Sequence, residues 1–134
     1  TTTVTSNRRL GGTSAGSSGL ALSQDGSVWI TNATTNTVSG YSATAIGAKD
    51  PPAAASVIIS GSSLNKPTAL AFDLSSALWV TNETGNNLLR YTADQLLASG
   101  SPTPAATING ATGARGLAFD PKDVRLPLFP KPAF

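Results

Sequence analysis

Gly19-Leu20-Ala21-Leu22-Ser23-Gln24-Asp25-Gly26-Ser27-Val28-Trp29-Ile30-Thr31-Asn32 and Ala69-Leu70-Ala71-Phe72-Asp73-Leu74-Ser75-Ser76-Ala77-Leu78-Trp79-Val80-Thr81-Asn82 are two wordings of one phrase. The offset between them is a constant 50 residues, carrying Trp29 to Trp79, Asn32 to Asn82 and Tyr41 to Tyr91. A fixed period of that size marks a repeated supersecondary unit. A third copy opens at Gly116-Leu117-Ala118-Phe119-Asp120-Pro121 and then breaks off.

Each copy divides into four short strands. In the first, Leu20–Leu22 is closed by Ser23-Gln24-Asp25-Gly26, where Asp-Gly supplies the positive backbone angle of a tight hairpin turn. Ser27–Thr31 follows, alternating small or polar residues with large apolar ones and rich in β-branched and aromatic types. Thr37–Tyr41 is the third strand. Ser56–Ser60 is the fourth, after a loop containing Asp50-Pro51-Pro52. The second copy gives strands at Thr68–Phe72, Ala77–Thr81, Asn87–Tyr91 and Ala106–Ile108, and one or two helical turns over Thr92–Ala98.

Four antiparallel strands repeating at this interval predict an all-β protein, a segment of β-propeller with an incomplete ring. Helical repeats would need a 3.6-residue apolar period, and only the stretch near Leu96 hints at one. The expected organisation is an outer strand of a preceding blade and connector over 1–18, blades over 19–67 and 68–115, a first strand of an unfinished blade over 116–123, and a Pro-rich tail over 124–134. Three prolines after Leu126 forbid a central strand there. An extended tail with Leu126, Leu128, Phe129 and Phe134 as apolar contacts is expected to bind a partner surface.

The phrase Gly-Leu-Ala-Phe-Asp, a turn, then Leu-Trp-Val-Thr-Asn resembles the repeats of NHL-type six-bladed propellers and their gluconolactonase-like and virginiamycin B lyase-like relatives, over about residues 19 to 120. The matching residues build the sheet, and one fold carries many functions. The gluconolactonase resemblance implies a divalent cation on the propeller axis, held in part by an Asn before the Gly-Leu of an inner strand. Those positions here are Ser18, Thr68 and Arg115, none of them the implied ligand, and Arg115 would repel a cation. Asp73 and Asp120 read as caps of the turn that follows the inner strand. The lyase resemblance implies a histidine acid or base, and the chain has no histidine. Nucleophilic triads fail for the same reason. No catalytic, metal-binding or cofactor-binding residue is therefore assigned.

Asn32-Ala33-Thr34 and Asn82-Glu83-Thr84 are glycosylation triplets on expected surface turns. Their recurrence in both copies favours a turn role, with Asn tolerating a left-handed backbone.

Composition narrows the partners. Nine basic and seven acidic residues leave a net charge of +2, too little and too scattered for nucleic acid. No apolar run approaches the eighteen or so residues needed to insert into a membrane, and nothing resembles a signal peptide. The absence of cysteine excludes disulfides and thiolate chemistry. Low charge with abundant Ser, Thr and Asn fits an extracellular, cell-surface or periplasmic setting.

A four-stranded blade presents on the order of 300 Å² on each face, so two stacked blades leave two such faces in water. Further blades of a longer propeller, copies of the chain closing a ring, or a different protein would cover them. The leading expectation is a non-enzymatic interaction or scaffold module, covered by a protein partner or by self-association. The alternatives are part of a gluconolactonase-like metal-dependent hydrolase or related lyase, and a carbohydrate-binding propeller ring.

Overall fold

The computed structural model describes residues 16–47 and 54–120. Strands β1 (Ser17–Leu22), β2 (Val28–Asn32), β3 (Thr37–Tyr41) and β4 (Val57–Ile59) form one antiparallel sheet in chain order. Strands β5 (Pro67–Phe72), β6 (Leu78–Asn82), β7 (Asn87–Tyr91) and β8 (Ala106–Asn109) form the second in the same order. Both copies of the phrase thus fold into propeller blades, as the 50-residue offset predicts. Their pairing registers match residue for residue: Trp29 lies opposite Ala21 and Gly40, and Trp79 opposite Ala71 and Arg90.

The turns follow from local chemistry. Between β1 and β2, Gly26 takes the positive φ of 82°, and Ser76 takes the same place between β5 and β6 at 59°. Between β2 and β3 the left-handed residue is Asn36, at 54°, and between β6 and β7 it is Asn86, at 53°. This corrects the expectation for Asn32 and Asn82, which are the last residues of their strands. Asn32 accepts at Oδ1 from the N–H groups of Thr34 and Thr35, both at 3.0 Å, and so closes the turn with its side chain rather than its backbone.

Successive side chains point to opposite faces of a strand, so the registers decide what each blade offers its neighbour. From blade 1, Trp29, Val38 and Ile59 project on one side; from blade 2, Leu70, Phe72, Leu78, Val80, Leu89 and Tyr91 project on the facing side. Together with Leu64 and Leu96 these merge into one apolar cluster between the sheets. Each such side chain contributes about 1.5–3 kcal/mol on burial, so the blade-to-blade contact is the main source of stability. A smaller cluster, Ile30 and Tyr41 with Ala45 and Ile46 over them, lies on the other side of blade 1.

The backbone also joins the blades. Gly100 donates to Ile58 O at 3.0 Å and accepts from Ser60 N at 2.9 Å, laying the chain that follows blade 2's third strand along the edge of β4. An outer edge is thereby covered.

Two expectations change. A short helix α1 (Ala43–Gly47) occupies a stretch read as loop, with Ser42 Oγ accepting from Ala45 N at 3.2 Å at its start. Over Thr92–Ala98 the expected helical turn forms, as a 3₁₀ turn at Asp94–Leu96. Gly116–Asp120 are not part of any strand of the two sheets. The outer strand expected before Gly16 and the tail residues Leu126, Leu128, Phe129 and Phe134 lie outside the described residues.

Candidate functional site

The inner strands are deformed at their starts. Pairing of β1 with β2 slips between Ser17 and Leu20, and pairing of β5 with β6 slips between Pro67 and Ala69. A bulge of this kind leaves a backbone N–H without its ladder partner. In both blades a threonine takes that donor: Thr31 Oγ1 accepts from Gly19 N and Thr81 Oγ1 from Ala69 N, each at 2.8 Å. Thr31 and Thr81 are fully buried. The same hydroxyls meet those at the slipped positions, Ser18 Oγ at 3.2 Å from Thr31 and Thr68 Oγ1 at 2.9 Å from Thr81.

From there the row steps across the blades. Ser18 Oγ donates to Pro67 O at 3.1 Å, and Thr68 Oγ1 donates to Ala114 O at 3.0 Å. Inner strands come so close that a Cβ on Gly19 would sit 2.5 Å from Thr68 O, so only glycine fits there. Ser18, Thr68 and Arg115, the positions singled out before the Gly-Leu of each copy, thus line a single corner. The structure brings all three together.

Lys66 and Glu83 complete that corner, a cleft of about 420 Å³ that also takes in Ser17 and Ala33. Lys66 has a positive φ of 56° and its N–H donates to Asn36 Oδ1 at 2.7 Å, a bond from one blade's turn to the residue just before the next blade's first strand. Both cations share one oxygen: Lys66 Nζ lies 3.1 Å and Arg115 Nη2 2.6 Å from Glu83 Oε1. Arg115 first, then Lys66, holds the Glu83 carboxyl below the ordinary carboxylate range. Glu83 is therefore ionised at neutral pH and is no proton donor, while the corner carries one net positive charge beside a row of hydroxyls. That arrangement suits a polar or anionic group.

At the opposite end of the strands the blades diverge into a groove of about 500 Å³, floored by Trp29 and Phe72 and rimmed by Ser23, Gln24, Asp25 and Ser76. The rings meet edge to face with centroids 6.2 Å apart. Asp25 accepts from the Ser23 hydroxyl and from Ser27 N, and these bonds keep its carboxyl low. Both side chains are spent on closing the turn.

Asp73 caps its turn as the sequence suggests, accepting at Oδ1 from Ser75 N at 2.9 Å and Ala77 N at 3.0 Å. It also does what the sequence did not announce. Its Oδ2 accepts from Trp79 Nε1 at 2.9 Å and from Arg90 Nε at 3.3 Å, and the Arg90 guanidinium lies 5.9 Å from the Trp79 ring centroid. The clue is an arginine in the place of Gly40, across the ladder from a repeated tryptophan. Among the described residues no group of three or more His, Cys, Asp or Glu side chains converges.

Asn82 is fully buried. Its Nδ2 donates to Ser63 O at 2.7 Å and Asn87 Oδ1 at 2.9 Å, and its Oδ1 accepts from Asn65 N at 3.1 Å. A glycan on that nitrogen would replace one of its two hydrogens, so it would have to break at least one of these donor bonds in a fully buried place.

No family model and no curated protein matches the chain. Among solved structures it is similar to a selenomethionine-substituted virginiamycin B lyase from Staphylococcus aureus, at 22% identity and a TM-score of 0.47, over 65% of this chain and 27% of that one. The chain spans about a quarter of that protein's length, and at this identity the likeness is one of fold. It overturns one expectation: the structure it resembles is that of an enzyme, so the reading of the chain as non-enzymatic is withdrawn.

Proposed function

We propose that the chain is an interaction module built of NHL-like propeller blades, whose end faces are docking surfaces for further protein. One observation carries this. Leu20 and Leu22 occupy in blade 1 the places that Leu70 and Phe72 occupy in blade 2, yet they stand 62% and 66% exposed where Leu70 is 5% exposed. The exposed pair sits on a sheet whose neighbouring residues, Ile30 and Tyr41, are buried, so it is the uncovered part of an apolar face rather than two scattered side chains. The proposal concerns how the blades are covered and is independent of any chemistry a completed ring performs.

The test is a hydrophobic-dye titration, at a concentration low enough for the chain to be monomeric, on the chain and on the Leu20→Asp/Leu22→Asp variant. Both substitutions lie at exposed positions, so the variant should keep the circular dichroism and melting temperature of the parent within a few degrees. Dye binding should fall severalfold. Unchanged dye binding by a folded variant would remove the docking face from consideration.

A further inference from the structure

Resting on that reading, we propose that the occupant of these faces is a second copy of the same chain, docked head to tail: blade 1 of one copy against the free side of blade 2 of the next. The contact between the two blades within the chain is the template. It mates a half made of Trp29, Val38 and Ile59 with a half made of Leu70, Phe72 and Leu96. Both halves recur on the outside of the same molecule.

On blade 2, Trp79, Leu88 and Ile108 stand at the repeat positions of Trp29, Val38 and Ile59, paired across the strands in the same way. Ile59 is fully buried; Ile108 is 49% exposed. On blade 1, Leu20, Leu22 and Ile46 stand at the repeat positions of Leu70, Phe72 and Leu96, with Ile46 brought there by α1 as Leu96 is by its 3₁₀ turn. One end therefore offers what the other end accepts, and the chain's interior already shows the fit. Such a contact is heterologous, so each added copy presents the same free face again until the ring closes.

The chain's own residues 114–119 stand in the way, and their hold is slight. Phe119 touches Trp79 edge to face at 6.3 Å, repeating the Phe72–Trp29 contact, and Ala114 O takes the Thr68 hydroxyl as Pro67 O takes that of Ser18. They are seated as the first strand of a next blade would be, but Phe119 remains 41% exposed and the segment pairs with no described strand. Gly116-Leu117-Ala118-Phe119 and Gly19-Leu20-Ala21-Leu22 are versions of one phrase. A second copy brings the latter already built into a four-stranded sheet, and on docking it replaces the placeholder position for position.

Light scattering across a concentration series on the 134-residue chain tests this, using two variants with opposite ends blocked. Leu20→Asp/Leu22→Asp closes the blade 1 face and Leu88→Asp/Ile108→Asp the blade 2 face. The parent should grow beyond a monomer as concentration rises, each variant alone should stay monomeric, and their mixture should stop at a one-to-one pair, which also shows that both variants fold. Phe119→Ala should loosen the placeholder and shift the parent's association to roughly tenfold lower concentration. A parent that stays monomeric throughout, a mixture that fails to pair while the parent associates, or a Phe119→Ala variant that associates less overturns the second copy as occupant. If the parent stays monomeric but its dye binding is still lost in Leu20→Asp/Leu22→Asp, the docking reading stands and only the identity of the occupant falls.

Discussion

Trp29 and Trp79 hold the same place in their blades, yet they are held by different neighbours. A Cβ on Gly40 would lie 2.7 Å from the Trp29 ring, so the indole rests directly on backbone. Gly40→Ala should cost about 1–3 kcal/mol by overpacking, read from urea unfolding. Gly47→Ala, with nothing within 4 Å of the new methyl, should be neutral or slightly stabilising and serves as its control. Trp79 instead has Arg90 beside its ring and Asp73 on its Nε1. Burial alone would raise the Asp73 carboxyl, but bonds from Trp79, from the N–H groups of Ala77 and Ser75, and from Arg90 outweigh it and bring it below 3.8. Since the folded value is the lower one, this group's contribution is fully present above the unfolded pKa near 3.8 and fades as pH falls through the folded value. Asp73→Asn should therefore destabilise by about 1–2 kcal/mol at neutral pH and by progressively less as the medium is made more acid than the unfolded carboxyl's range, narrowing the gap between parent and variant. Asp25 and Glu83, also lowered, leave part of the acid sensitivity in place. A gap that stays constant with pH would mean that the Asp73 charge contributes nothing.

Among the elements, what was legible in the sequence is what repeats. The strands, the Asp-Gly turn and the capping role of Asp73 come from periodicity and turn chemistry, which are local. What escaped was set by contacts that only the folded sheets create, within a blade or between the two. Thr31 and Thr81 read as ordinary strand residues, because nothing in a linear phrase announces that the strand opposite will bulge and leave a donor to satisfy. Helix α1 lies in a stretch without charge or apolar period, and it forms where Ile46 can lie over Ile30 and Tyr41. Asn32 and Asn82 read in the sequence as turn residues, but the left-handed backbone belongs to Asn36 and Asn86, since a buried side-chain amide can close the turn without a positive φ. Asn82→Ala should cost about 2–3 kcal/mol, because it strands Ser63 O and Asn65 N together. The corresponding check on modification is intact mass after expression in a glycosylating host, where Asn82 should carry no glycan. The corner of Ser18, Thr68 and Arg115 was legible as three positions and not as a place: that they share one cleft with Lys66 and Glu83 follows from the stacking of the blades.

At the scale of the molecule the question is whether two blades behave as two units or one. Repeat arrays divide their stability between what each unit holds internally and what it shares with its neighbour. Here the partition is lopsided, because six fully buried apolar side chains, Val38 and Ile59 from blade 1 and Leu78, Val80, Leu89 and Tyr91 from blade 2, belong to the shared cluster. Burial within it raises the Tyr91 hydroxyl to about 12, as expected of a group sealed from water on every side. Blade 1 has beyond that only the small Ile30 and Tyr41 cluster of its own. A defect made in one blade should therefore be felt equally in the other. Val38→Ala removes two buried carbons from the blade 1 side of the contact and should cost about 2–3 kcal/mol, given how little such a site can collapse between two paired sheets. Hydrogen exchange should report that loss in full at the amides of β6 and β7, which Val38's own sheet does not contain, and one unfolding transition should be seen by every probe. Protection that fell in β2 and β3 alone would show two independent blades, and would move the weight of the fold from the contact between the sheets into the sheets themselves.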